Sequence, residues 1–249
     1  MSPKCFLRTV AAAAMLATGL SAQAGTMTLN GPFHGAYNTV SVVTPNASYS
    51  GGLAGGFAVS LNGFSEFGGT FNGMAFESYC VDVYEYVGTS ASYSILTAAS
   101  YFNANPSKST ALGKLISYVY GSNVFGAATD KDQQSTALQL AIWNVVYDAD
   151  NTLSGGAAFG GTMYEKTGSS FRNSTAAYKG TDDLLSLSQT YTGGPAYELF
   201  VLSSGRPLSS LAGNQDQLIW RQTVPEPASL ALVALALGGA VVASRRRRG

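Results

Sequence analysis

A helical pattern runs through Thr136-Ala137-Leu138-Gln139-Leu140-Ala141-Ile142-Trp143-Asn144-Val145-Val146-Tyr147-Asp148. Its apolar residues recur at intervals of three and four, which is the period of an α-helix. A second apolar stripe leaves this helix apolar nearly all round, so we expect it to be buried. Asp130, with Gln133 three residues later, predicts the cap at its start.

One polar side chain, Gln139, lies in the middle of this apolar helix. A buried carboxamide costs free energy unless it is hydrogen-bonded or otherwise engaged. The sequence therefore predicts that another part of the chain supplies a partner for Gln139.

The composition of the 249-residue chain favours short strands and turns, because charged residues make up only 11% while Gly and aromatic residues are plentiful. Six of the 14 basic residues and one of the 14 acidic residues lie in the terminal segments. That leaves 8 basic and 13 acidic residues, a net charge of about −5, in the body between them. Nucleic acid binding needs a basic face, so we expect no nucleic acid partner.

The first 24 residues have the organisation of a secretory signal peptide. Basic residues precede a short apolar run, and Ala22-Gln23-Ala24 is an A-x-A cleavage site in which Ala22 and Ala24 are the small residues. Cys5 lies in the segment to be removed, so the exported chain keeps one cysteine, Cys80.

The C-terminal residues 224–249 have three parts in a fixed order. Pro225-Glu226-Pro227 precedes an apolar run that would span about 24 Å as a helix, somewhat less than a ~30 Å hydrocarbon core. Four arginines follow this transmembrane helix and act as the membrane stop on the cytoplasmic side. They are Arg245, Arg246, Arg247 and Arg248.

This tripartite tail resembles the PEP-CTERM sorting signal of Gram-negative bacteria that make exopolysaccharide. The resemblance implies cleavage near Pro225-Glu226-Pro227 by an exosortase, a membrane protease or transpeptidase, followed by release or transfer to the outer surface. It implies a cell-surface or extracellular-matrix location, a transient or stable membrane anchor, and an exopolysaccharide matrix as a partner. An ordinary single-pass anchor is the alternative.

Residues 25–223 form the exported body, for which the sequence predicts a single α+β domain. Short β-branched runs broken by Gly, Pro and Asn predict a mainly antiparallel sandwich or barrel. A helical insertion is expected over residues 97–148, with a long loop over 151–180 and a short helix over 182–189 capped by Thr181. Within the insertion, helices are predicted over 96–102, 109–120 and the stretch that contains Gln139.

The residues from Phe76 to Tyr84 alternate with a period of two, which predicts a strand with Cys80 in its middle. Tyr79-Cys80-Val81-Asp82 on this strand and Gln139-Leu140-Ala141-Ile142-Trp143 on the helix together resemble the thioester domains of bacterial surface adhesins. Those domains pair a strand cysteine in an aromatic-Cys-aliphatic setting with a helical Gln-x-Ala-Ile-Trp. This chain departs from the family at Leu138, where the adhesins commonly have Thr.

The resemblance implies that Cys80 is the sulfur and Gln139 the acyl donor of an internal thioester, surrounded by Tyr79, Asp82, Ala141, Ile142 and Trp143. A nucleophile on a target surface, an amine or hydroxyl, would open the bond and leave a covalent link through Gln139. Such chemistry needs a donor that polarises the Gln139 carbonyl, and the sequence does not name it.

The same residues also allow other interpretations. Cys80 can be an ordinary core cysteine or form an intermolecular disulfide, and Gln139 can simply bond to backbone. The body would then be a chemically inert matrix protein. A cysteine hydrolase would need His34, the only histidine, as its base. We expect no enzyme activity, no cofactor and no metal site, and we expect Asp82, Asp148 and Asp150 to be solvated or capping groups.

Overall fold

The computed structural model describes residues 24–35, 37–43, 48–83, 85–88, 90–147, 175–193, 197–206 and 213–223. The predicted signal peptide up to residue 23 and the sorting signal from residue 224 onward lie outside these residues. Asp148, Asp150, Tyr84 and most of the predicted 151–180 loop also lie outside them. Among the described residues, no helix is both long enough and apolar enough to cross a membrane.

Six antiparallel strands close into a barrel in the order β1-β4-β5-β8-β7-β6, and β2 pairs with β3 in a separate hairpin. The predicted α+β class is confirmed, with the β part resolved as a barrel. The strands are β1 (Gly25–Pro32), β2 (Asn38–Val43), β3 (Ser48–Ala54), β4 (Phe57–Asn62), β5 (Ala75–Cys80), β6 (Ser90–Thr97), β7 (Tyr197–Ser203) and β8 (Gln217–Gln222).

Side-chain alternation along the strands explains how this barrel is filled. Met27 on β1 and Val59 and Leu61 on β4 are fully buried, while the residues between them are more exposed. Successive side chains of a strand point to opposite faces, so the apolar set of each strand is buried together. Phe200 on β7 and Ile219 on β8, from the C-terminal part of the chain, pack into the same core.

Apart from a short 3-10 helix at Glu66–Gly69, the helices of the described residues lie between β6 and β7 in the sequence, and all but the last fall within the predicted insertion. They are α1 (Ala98–Tyr101), α2 (Pro106–Gly121), α3 (Val124–Ala127), α4 (Lys131–Tyr147) and α5 (Thr175–Thr190). Helix α4 is buried continuously from Ser135 to Val146, because α5 and α2, β5 and the β2–β3 hairpin all pack against it. Its predicted cap is confirmed, since Asp130 Oδ1 accepts a hydrogen bond from the Gln133 amide at 3.0 Å.

Three predictions about element boundaries were wrong. Strand β5 ends at Cys80, so the cysteine closes the strand instead of lying in its middle. Helix α1 starts only at Ala98, because Leu96 and Thr97 still pair with β7. Helix α5 begins at Thr175 and not at residue 182, so residues 175–180 are helical and Thr181 is an internal residue whose hydroxyl donates to the Ala137 carbonyl.

Candidate functional site

Cys80 lies at the end of β5, beyond the last residue that pairs with β4. Strand β4 pairs with β5 only as far as Ser78, opposite Phe57, whereas β8 continues to pair with Tyr79 and Cys80. The main chain of Cys80 therefore has a strand neighbour on the β8 side alone. Its thiol is free and its residue is only 3% exposed, so water has little access to the sulfur.

Gln139 on α4 takes the place of the missing strand neighbour. Its Oε1 accepts a hydrogen bond from the Cys80 amide at 2.9 Å, and its Nε2 donates to the Cys80 carbonyl at 2.8 Å. The exposed fraction of Gln139 is 0%, so these bonds satisfy a carboxamide that has no access to solvent. The predicted partner of Gln139 is thus the main chain of Cys80, and the donor on its carbonyl is the Cys80 N–H.

The Cys80 thiol has a different carboxamide as its neighbour. Gln217, the first residue of β8, donates from Nε2 to Cys80 Sγ at 3.3 Å, and its Oε1 accepts from Ser78 Oγ at 3.2 Å. Burial raises the pKa of the Cys80 thiol well above its ordinary value, and the Gln217 hydrogen bond opposes that shift. The thiol consequently holds its proton at neutral pH, and Gln217 is the group that most favours losing it.

A buried pair of aspartates adjoins the cysteine. Asp82 Oδ2 accepts from the Asp216 amide at 2.6 Å, and Asp216 Oδ2 accepts from the Tyr101 hydroxyl at 2.6 Å. Burial raises the pKa of Asp82 to about 7, and the neighbouring charge of Asp216 adds to the shift. Asp82 was expected to be solvated or capping, and solvation was wrong because this residue is 3% exposed. Its carboxylate instead caps the backbone amides of Glu85 and Asp216 and so ties the segment after β5 to the segment before β8.

The remaining residues predicted around the thioester are all buried. Tyr79 donates its hydroxyl to Glu77 at 2.9 Å and lies 3.2 Å from the Ser135 hydroxyl on α4, which aligns β5 with the helix. Ala141 and Ile142 are core residues of α4. Trp143 is 5% exposed and lines a cavity next to the site.

His34 is engaged elsewhere in the structure. Its Nε2 lies 2.8 Å from Glu77 Oε1, and its ring stacks on Phe125 with the centroids 3.8 Å apart. A cysteine hydrolase would require the His34 imidazole to be hydrogen-bonded to the Cys80 sulfur. The side chain that donates to this sulfur is the carboxamide of Gln217. Within the described residues, no group of three or more His, Cys, Asp or Glu side chains could hold a metal ion.

Sequence reasoning missed Gln217 and Asp216 as neighbours of Cys80. Only a weak indication of Gln217 is present in the sequence. This residue precedes the apolar residues Leu-Ile-Trp of a predicted strand, so, like Gln139, it is a carboxamide next to apolar neighbours. What the sequence could not supply was the pairing of β5 with β8, which lie far apart in the chain and meet only when the barrel closes.

Comparison with known proteins identifies the C-terminal segment. Residues 223–248 match the PEP-CTERM protein-sorting motif, which confirms the predicted sorting signal. Proteins with this motif are exported and sorted to the cell surface, and the motif implies processing by an exosortase. No curated protein and no solved structure matches the chain. The resemblance of the body to thioester domains therefore stays a prediction.

Proposed function

We propose that this protein is a surface or matrix protein, processed by an exosortase, whose body forms an internal thioester between Cys80 and Gln139 and uses it for covalent capture. It acts once per molecule and is not an enzyme. The observation that carries the proposal is the pair of hydrogen bonds that hold the Gln139 carboxamide against Cys80 in a region closed to water. Exclusion of water protects an acyl-sulfur bond from hydrolysis.

The bond-forming step starts from the thiol and the carboxamide. Cys80 Sγ attacks Gln139 Cδ, the Sγ–Cδ bond forms, the Cδ–Nε2 bond breaks, and the thiol proton leaves with the nitrogen as ammonia. The Cys80 N–H already donates to Gln139 Oε1, so it can stabilise the oxyanion that develops on that atom. For this step Gln139 gives up the Nε2 hydrogen bond to the Cys80 carbonyl and brings Cδ toward the sulfur, while Oε1 keeps the Cys80 N–H.

The capture step reverses the same chemistry with a new nucleophile. An amine or hydroxyl of a surface target attacks Gln139 Cδ, the Sγ–Cδ bond breaks, and the proton of the nucleophile passes to the Cys80 thiolate. The product is an amide or ester that joins Gln139 to the target. No additional reactant or cofactor is consumed in either step.

A chemically inert matrix protein is the second candidate, and two observations favour it. The Gln139 carboxamide is already satisfied by the Cys80 main chain, and burial raises the pKa of the thiol. Both facts describe a stable structural arrangement that needs no further reaction. In that case cohesion would depend on the aromatic and Gly-rich surfaces of the body.

Intact mass of the mature protein distinguishes these two functions. We expect the wild-type mass to be lower than the sequence mass by one ammonia, and methylamine to add across the bond. A Cys80→Ala variant should keep the sequence mass and ignore methylamine. A wild-type mass equal to the sequence, with a thiol that is freely alkylated after unfolding, would favour the inert protein.

The position of the methylamide identifies the acyl donor. Gln139 and Gln217 both place a carboxamide at Cys80, the first on its main chain and the second on its sulfur. Peptide mapping should find the methylamide on Gln139, and a Gln139→Met variant should lose it. A methylamide on Gln217 would contradict the assignment of Gln139 while preserving a thioester.

A further inference from the structure

A cavity of about 400 Å³ opens beside the cysteine site, between the β2–β3 hairpin, helix α4 and the segment after β5. Most of its wall is aliphatic or aromatic. The lining residues that matter for the argument are Tyr37, Leu53, Val83, Glu85, Tyr86 and Trp143.

Two hydrogen-bond donors of this lining have no partner among the described residues. They are the indole Nε1 of Trp143 and the hydroxyl of Tyr37, and both atoms are buried. The Trp143 side chain is buried, with the residue only 5% exposed, so bulk water does not hydrogen-bond to its N–H. Buried polar groups without partners are uncommon in folded proteins, and each one calls for an explanation such as a ligand.

The electrostatic character of the two groups restricts what they can bind. An indole N–H only donates. Burial raises the pKa of Tyr37 to about 12, with the neighbouring Cys80 as a smaller cause, so this hydroxyl keeps its proton and can also donate. Both groups can therefore donate a hydrogen bond to a ligand, and a carbonyl or ether oxygen of that ligand would accept it.

Charge and exposure define the rest of the ligand. Glu85 contributes a carboxylate to the lining, and no basic side chain is among the lining residues, so an anionic ligand is disfavoured. The walls offer too few polar groups to pair the hydroxyls of a sugar. Leu53 and Tyr86 are 60% and 80% exposed beside the cavity, and an apolar ligand would cover them.

We propose that this cavity binds a neutral, largely apolar molecule whose carbonyl or ether oxygens accept hydrogen bonds from the Trp143 N–H and the Tyr37 hydroxyl. This binding site stands apart from the thioester, because none of its interactions requires the Cys80 sulfur. Trp143 lies one helical turn after Gln139 on α4, so a bound molecule would sit beside the cysteine site.

The test uses prodan, a neutral naphthalene ketone with a solvent-sensitive fluorescence, and the full chain carrying Cys80→Ala. We expect saturable binding with a blue-shifted emission. Trp143→Phe keeps the aromatic ring but removes the N–H, so affinity should fall about fivefold, the usual effect of one hydrogen bond. Trp220→Phe makes the same change outside the lining and should leave affinity unaltered.

Two further comparisons distinguish binding at this cavity from nonspecific hydrophobic binding of prodan. Leu53→Asp changes an exposed wall residue, so the protein should fold normally while prodan affinity falls at least tenfold. A naphthalene analogue without the ketone should bind the Cys80→Ala protein equally with and without Trp143→Phe. The proposal is overturned if prodan fails to saturate, if Trp143→Phe and Trp220→Phe bind it equally, or if the Leu53→Asp variant retains full affinity.

Discussion

Gln139 pairs with the main chain of Cys80 as a neighbouring strand would, with its Oε1 on the Cys80 amide and its Nε2 on the Cys80 carbonyl. The pair forms where β4 no longer accompanies β5, so a helix side chain completes the ladder. One contact thus joins the longest helix of the described chain to the barrel and brings together the two residues on which the proposed chemistry depends.

Loss of this pair should destabilise the body. In a Cys80→Ala background, which excludes any acyl bond, Gln139→Met should lower the free energy of unfolding by about 3 kcal/mol. The reason is that Met fills nearly the same volume but leaves a buried N–H and C=O without partners. Urea denaturation followed by tryptophan fluorescence measures the change. A loss below about 1 kcal/mol would mean that water or other groups replace the carboxamide.

Two glycines should respond in opposite directions to the same substitution. A Cβ on Gly56 would lie 2.8 Å from Tyr79 Cζ and 2.9 Å from its hydroxyl, whereas a Cβ on Gly113 in α2 meets nothing within 4 Å. Gly56→Ala should cost about 1–3 kcal/mol through overpacking. Gly113→Ala should add about 0.5–1 kcal/mol through helix propensity. Equal effects in thermal unfolding would contradict the packing of Tyr79 against Gly56.

The sequence was informative wherever a local pattern determines structure. Periodicity located α4, the buried stripe of α2 and most strands, because these patterns depend on neighbours within one element. The cap at Asp130 is equally local. The long extent of α5 was missed because its first residues end a Gly-, Ser- and Thr-rich stretch that predicts a loop, and burial of its later leucines is what indicates a helix there.

Features set by barrel closure escaped prediction. The approach of Gln217 to the Cys80 sulfur and of Asp216 to Asp82 depends on β5 pairing with β8 across more than half of the chain. Asp82 was expected to be solvated or capping, as aspartates are on average. Solvation fails here because backbone amides and a tyrosine hydroxyl surround the buried carboxylates of Asp82 and Asp216. The sequence joined Cys80 to Gln139 only through a family resemblance.

Stability should fall as pH rises toward neutrality, because of Asp82. Its pKa is raised by burial from 3.8 to about 7, so the folded state holds this proton more tightly than the unfolded state. Between about pH 4 and pH 7 the folded state binds more protons, and the free energy of unfolding therefore decreases with pH, by up to about 4 kcal/mol from this group.

Asp82→Asn removes the titrating group while keeping an oxygen for the Asp216 amide, so its stability should vary less across the same interval. Denaturation midpoints of both proteins between pH 4 and pH 8 provide the measurement. Asp216, whose pKa burial also raises, should retain part of the slope in the variant. Identical slopes in the two proteins would assign the pH dependence to other groups.

The Gln217 carboxamide should control how fast the proposed thioester forms. Its N–H on Cys80 Sγ favours the thiolate, which is the nucleophile, against a burial that disfavours it. In Gln217→Leu the thiolate loses that donor, so the pKa of the thiol should rise further. Because a hydrogen bond to a charged group contributes about 1.5 kcal/mol, ammonia release on folding should slow about tenfold. Ser78→Ala, which removes only the hydrogen bond on Gln217 Oε1, should slow it less. The chain is isolated in denaturant before it has folded, so Gln139 still carries its amide nitrogen. Ammonia released over time after dilution then gives the rates, and Cys80→Ala sets the background. If Gln217→Leu releases ammonia as fast as wild type, the thiol is activated by another group and Gln217 only fills space beside it.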